Sequence, residues 1–212
     1  MVTVIVDYES GNLHSAEKAF QRMATEVGAG EVIVTSDPDV IRRASRVVLP
    51  GDGAFPACRK ELFDHRGVFE AMEESVIERA QPFLGICIGM QMMATRGLEY
   101  TPTPGFDWIG GEVAKIAPAD PALKVPHMGW NDLVIDHPHP VFDGVETGQH
   151  CYFVHSYHFR VADDAERLAH VDYAGDITAI VGRDNLLGMQ FHPEKSQKTG
   201  LHLIANFLRW MP

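Results

Sequence analysis

The most chemically suggestive residue in this chain is a cysteine flanked by glycines. In Gly85-Ile86-Cys87-Ile88-Gly89 an apolar run ends and another begins. A strand that stops there, turns within one residue and enters a helix would hold Cys87 in strained backbone, at roughly 1–3 kcal/mol. Glycines two places to either side leave room for such a turn. The free N–H groups and dipole at a helix start would favour the thiolate. An unperturbed thiol is only a few per cent ionised near neutral pH, so a nucleophile needs that help. A small residue packed beside two glycines would explain the segment equally well.

His192-Pro193-Glu194, far along the chain, tips that balance. In extended backbone, residues i and i+2 point to the same side, and Pro193 biases His192 toward extended backbone. An imidazole there can take the thiol proton, and a carboxylate can fix its tautomer, which is triad logic with Glu in the third role. Singly, each is an ordinary polar loop residue. Pro50-Gly51-Asp52-Gly53 closes another apolar run. Its glycines let backbone N–H groups of Gly51, Asp52 and Gly53 turn toward a developing oxyanion, with Ile88 as a further donor. By itself it is also a plain tight turn.

The elements that must position these groups are legible in outline. Strands are expected at Val2–Val6, Glu31–Thr35, Arg46–Leu49 and Pro82–Ile86. Between them, Leu13, Ala16, Phe20 and Met23 recur at helical spacing. Asp37 caps a short helix with Pro38 in its first position, and a helix is expected over about Val68–Arg79 and another from Ile88. This alternation predicts an α/β fold, with an open, mostly parallel central sheet and helices on both faces. From Gly105 short strands dominate: Gly111–Ile116, Asp132–Ile135, His150–Val154, Tyr157–Val161, Leu168–Val171, Ile177–Val181 and Leu186–Phe191. They add antiparallel strands in the C-terminal half, and a helix over Thr199–Trp210 closes the chain. No linker divides residues 1–212, so one domain is expected.

Composition narrows the class. The net charge is −11 and no basic stripe appears, so neither nucleic acid nor an anionic membrane is an expected partner. No apolar run approaches the roughly 20 residues of a membrane span, and "MVTVIVDYES" lacks the basic start of a signal peptide. The three cysteines lie far apart with no CxxC, which suits a reducing, cytoplasmic location where a free thiol survives. Cys58 and Cys151 read as structural. Eleven histidines are present, but acids and cysteines at metal spacing are lacking, so no metal or other cofactor is expected.

"GICIGMQ", "PGDGAF", "VHSY" and "HPEKS", in this order, resemble a class I glutamine amidotransferase, and the likeness covers nearly the whole chain. "VIVDYESGNLHS", "KVPHMGWN" and "HCYFVHSYHF" are similar to the family of glutaminase subunits of imidazole glycerol phosphate synthase. Position 52 is Asp where that family usually has an apolar residue. Glu9 stands where glycine is common, and His14 where a basic residue is common. The resemblance implies the class I amidotransferase fold, a Cys87-His192-Glu194 triad, and glutamine bound near Gln91 and His155-Ser156-Tyr157. It also implies a (β/α)8-barrel cyclase subunit as heterodimer partner. That partner takes the ammonia and makes imidazole glycerol phosphate and an aminoimidazole carboxamide ribotide in histidine biosynthesis. Asn12, Pro126, His127, Met128, Trp130 and Asn131 are the expected partner-facing residues. Two other readings stay open on the residues alone: a partner-free Cys-His hydrolase such as a γ-glutamyl hydrolase, and a non-catalytic binding module on the same fold.

Overall fold

The computed structural model describes residues 1–9 and 13–212. Its first half alternates strand and helix: β1 (Val2–Val6), α1 (Leu13–Val27), β2 (Glu31–Thr35), α2 (Pro38–Arg42), β3 (Arg46–Leu49), α3 (Phe55–Asp64), α4 (Val68–Glu73), β4 (Phe83–Ile86) and α5 (Ile88–Gln91). Local chemistry sets several of these ends. Asp37 accepts the Asp39 N–H at 2.9 Å, and Pro38 occupies a position where no N–H is needed. Strands β3 and β4 are buried along their whole length. Apart from the buried Arg46 that opens β3, they are apolar throughout, because a sheet covered on both faces has no polar side to alternate with.

The second half supplies β5 (Arg96–Gly97), β6 (Thr103–Pro104), β7 (Gly111–Lys115), β8 (His127–Asp132), β9 (Val134–Ile135), β10 (His150–His155), β11 (Tyr157–Val161), β12 (Arg167–Asp172), β13 (Asp176–Arg183), β14 (Leu186–Met189) and α6 (Gln197–Arg209). The main sheet runs β2-β1-β3-β4-β14-β13-β12-β9. It is parallel from β2 to β14 and antiparallel beyond. Helices α1 and α6 meet through Phe20 and Phe207, with ring centroids 6.4 Å apart and edge-on. Phe83 meets Trp108 edge-on at 5.0 Å, and Phe69 of α4 stacks on the same indole. A two-stranded ribbon, β8 with β10, and a small sheet β11-β7-β5-β6 complete the chain.

The structure departs from the sequence expectations at a few elements. Helix α3 was not foreseen, although Phe55, Cys58 and Leu62 all turn to the core from it. The helix after Val68 widens into a π turn over Glu74–Glu78 before Ala80 takes φ 51°. The helix after Cys87 is a single turn. Strand β14 stops at Met189, the strand expected over Asp132–Ile135 shortens to β9, and β8 over His127–Asp132 is an additional strand.

Candidate active site

Three neighbouring parallel strands deliver the expected chemistry to one edge. In register, Leu49 of β3 lies opposite Gly85 of β4, and Ile86 opposite Met189 of β14. Beyond those residues the chain becomes Pro50–Gly53, Cys87 and Gln190–Glu194. Ligand sites of open α/β sheets form at such carboxyl ends.

Cys87 stands at φ 54°, ψ −113°, a strained conformation for a residue with a side chain. Its glycine neighbours are required by contact. A Cβ on Gly89 would sit 1.8 Å from the Leu49 carbonyl oxygen, and one on Gly85 2.6 Å from the Gly89 oxygen. A Cβ on Gly51 would come within 2.8 Å of the Ile88 Cβ. Helix α5 spans only Ile88–Gln91, so a helix-long dipole is not what faces the sulfur. What remains are the N–H groups of one first turn, which have no partner within their own helix.

His192 Nδ1 lies 2.9 Å from Glu194 Oε1, with both side chains nearly sealed from solvent. The route differs from an extended i, i+2 pair. His192 is extended, but Pro193–Lys195 is a 3-10 turn that carries the Glu194 carboxylate back to the ring. The turn is anchored from β10. The His192 N–H donates to the Tyr152 carbonyl at 3.3 Å, and Ser196 Oγ donates to the His192 carbonyl at 2.7 Å. Burial pulls the His192 pKa down, but hydrogen bonds to Cys87 and Glu194 and their charge outweigh it and raise it to about 10. Glu194 thus favours the protonated form of the His192 ring.

The expected oxyanion segment lies beside this pair. Tyr8 Oη donates to the Pro50 carbonyl at 2.8 Å, and Cys58 Sγ donates to the Asp52 carbonyl at 3.4 Å. Gly53 takes φ 122°. A cleft of about 260 Å³ opens here, lined in part by Asp52, Gly53, Cys87, Ile88 and Gln91. Pro126, Val154, His155, Ser156, Tyr157 and Glu99 line the rest. Gln91 Nε2 donates to the Tyr157 carbonyl at 3.1 Å, leaving its buried Oε1 without a hydrogen-bond partner. Glu99 Oε2 accepts the Phe55 N–H at 2.8 Å. A larger groove of about 520 Å³ between α1 and α6 has no thiol or hydroxyl in its lining.

Sequence reasoning missed Tyr8, Glu99 and Gln190. Tyr8 and Gln190 carried a faint signal, since each is a polar residue adjoining an apolar run. Glu99 carried none, because nothing local marks a loop carboxylate that returns to the cleft.

Strand β8 divides the residues expected to face a partner. Met128 and Trp130 are 62% and 46% exposed, whereas His127 is buried. Side chains alternate across a strand, so His127 must point inward when Met128 points out. His127 Nδ1 lies 3.0 Å from His155 Nε2, and Asn131 Nδ2 donates to the Asp172 carbonyl at 3.0 Å. His127 and Asn131 are thus tied inward, and Pro126 lines the cleft. Asn12 lies outside the described residues. Burial pushes the Cys151 thiol up to about 12, against a smaller opposing effect of Ser196, so Cys151 stays a neutral thiol. No described helix is long and apolar enough to cross a membrane.

A family model, glutamine amidotransferase class-I, matches residues 4–210. The imidazole glycerol phosphate synthase subunit HisH of Cereibacter sphaeroides is 74% identical over 212 residues, covering 100% of both chains. The subunit of the same name from Ruegeria pomeroyi is 66% identical over the same coverage. A crystal structure of a glutamine amidotransferase superposes with a TM-score of 0.72 at 18% identity, over 98% of this chain and 99% of that one. At that identity the likeness speaks to the fold.

Proposed function

The chain belongs to the class-I glutamine amidotransferase family, and from that premise we propose that it is the glutaminase subunit of an imidazole glycerol phosphate synthase, acting in histidine biosynthesis. The supporting observation is Cys87 on a strained elbow at the mouth of a cleft, with the His192 ring held by Glu194 at 2.9 Å. The whole of residues 1–212 is read as one glutaminase domain.

In this reading the Cys87 sulfur attacks the side-chain carboxamide carbon of glutamine. The carbonyl oxygen becomes an oxyanion and is met by backbone N–H groups of Ile88 and the Gly51–Gly53 segment. His192 gives its proton to the departing nitrogen, ammonia leaves, and a γ-glutamyl thioester remains on Cys87. His192 then takes a proton from water, which attacks the thioester and releases glutamate. Glu194 orients the ring throughout. The unpartnered Oε1 of Gln91 and the carboxylate of Glu99 are acceptors suited to the amide and ammonium groups of the substrate.

Ammonia released into neutral water becomes ammonium and loses its nucleophilicity, so delivery to a second site is chemically sensible. The proposed receiver is a (β/α)8-barrel cyclase subunit, forming a heterodimer in the cytoplasm. The exposed Met128 and Trp130, with Trp130 edge-on to His150 and Tyr152, suit a docking patch, because aromatic anchors dominate such interfaces. The test is glutamine hydrolysis and imidazole glycerol phosphate formation with and without that subunit. Coupled turnover supports the reading. Vigorous partner-independent cleavage of γ-glutamyl peptides would replace it with a γ-glutamyl hydrolase.

A further inference from the structure

Gln190 is the first residue past the end of β14, and its side chain is fully buried. Buried amides are uncommon, and each has partners that explain it. Here Oε1 accepts from Gln91 Nε2 at 2.9 Å, and Nε2 donates to Cys87 Sγ at 3.7 Å. The backbone N–H donates to the Ala179 carbonyl at 2.8 Å, which fixes the residue's own position.

The direction of this chain follows from one group that can only accept. The Tyr157 carbonyl receives His155 Nδ1 at 2.8 Å and Gln91 Nε2 at 3.1 Å. The nitrogen of Gln91 must therefore face Tyr157, and its second hydrogen goes to Gln190 Oε1. With its oxygen so engaged, Gln190 has only its amide nitrogen to turn toward the sulfur. With its nitrogen so engaged, Gln91 has only its oxygen left for the cleft.

We propose that Gln190 is a positioning residue that donates a hydrogen bond to the Cys87 sulfur and locks the Gln91 carboxamide with its oxygen toward the cleft. An N–H donor is stronger to a thiolate than to a thiol, because the acceptor then carries charge. The Gln190 donor thus acts on the same sulfur as His192 and favours a negatively charged form over a neutral one. The titratable groups around it are His192 with Glu194 behind it, and His155 and Glu99 in the lining of the same cleft. The Gln91 half of the inference rests on the proposed glutaminase function, whereas the sulfur half does not.

The experiment separates the two halves. Gln190→Met keeps the length and removes both hydrogen bonds, while Gln190→Glu keeps an acceptor for Gln91 and loses the donor to sulfur. Alkylation of Cys87 by iodoacetamide is followed against pH, read by mass spectrometry on the peptide that contains it. In both variants the alkylation midpoint should move up by about one unit, with about a tenfold loss of rate at pH values below the native midpoint. The glutamine KM should rise in Gln190→Met and hold in Gln190→Glu. Alkylation profiles that superimpose on the native one, in variants with unchanged thermal unfolding, overturn the proposal. So does a wild-type Gln190 side-chain amide resonance that ignores the titration of Cys87, a measurement that needs no variant to fold. A shifted alkylation profile in a chain that never hydrolyses glutamine would sink the proposed function and leave the sulfur contact standing.

Discussion

The Cys87 amide donates to the Met189 carbonyl at 2.8 Å. That bond is the last rung between β4 and β14, and it places the turn at His192 beside the elbow. The two segments that carry Cys87 and His192, the proposed nucleophile and base, are thereby held to one geometry by the sheet ladder.

His192→Ala should abolish glutamine-dependent imidazole glycerol phosphate formation and spare synthesis from added ammonium salts, since the acceptor chemistry belongs to the partner. The two assays run side by side on the reconstituted complex. Loss of both would mean that folding or docking had failed.

Glu194→Gln keeps the shape at the His192 ring but removes the charge 2.9 Å away. A fall in kcat of roughly 10²–10⁴ is expected, with little change in KM, because general acid–base work is what suffers. The His192 pKa should also drop from its raised value, which a pH titration followed by NMR reads directly. A ring still titrating near 10 would mean that Glu194 is not what holds the proton.

Gly89→Ala should destabilise the fold by about 3 kcal/mol or more, because its Cβ would lie 1.8 Å from a backbone oxygen that cannot move aside. Gly148→Ala meets open space and carries only the strain of φ 94°, about 1–3 kcal/mol. Urea unfolding midpoints compare them. Equal losses would show that backbone strain, not the strand–helix contact, governs the elbow.

Acid should weaken the protein ahead of its carboxylates. Burial pushes His155 down to about 3, helped by neighbouring imidazoles and opposed by its bond to Tyr157. Burial likewise pushes His127 and His158 down to about 4. Unfolding frees these rings to protonate near 6.5, so the unfolded state binds more protons between the two values. Stability is full above about 6.5 and falls as pH drops toward 4, by roughly 2 kcal/mol per ring at pH 5. His192 has the opposite sign: its contribution is full below 6.5 and is lost as pH rises through about 10. Chemical denaturation at pH 5, 7.5 and 10 should peak in the middle, and a flat profile would contradict these assignments.

Trp130→Ala should leave folding and His192 titration unchanged and weaken association with the cyclase subunit by about 2 kcal/mol, the scale of an aromatic anchor. Isothermal titration of the two subunits measures it. Unaltered affinity would move the docking patch elsewhere on the chain.

Sequence alone determined the parts whose signal is local. The apolar runs of β1, β3 and β4, the Asp37 cap and the glycine-flanked cysteine are written in neighbouring residues, because backbone strain and strand burial depend on what stands within a few positions. It also offered Cys87, His192 and Glu194 as candidate partners, since a thiol, an imidazole and a carboxylate have complementary chemistry wherever the chain brings them. Tertiary structure decided the rest. Helix α5 was cut to one turn, and the Glu194 carboxylate returned to His192 through a 3-10 turn instead of an extended strand. Strand alternation turned His127 inward while Trp130 faces out. Gln190 acquired its place between Gln91 and Cys87 only through the register of β14 on β4. Those outcomes depend on the cross-strand distances that packing sets, and no local pattern of residue types encodes them.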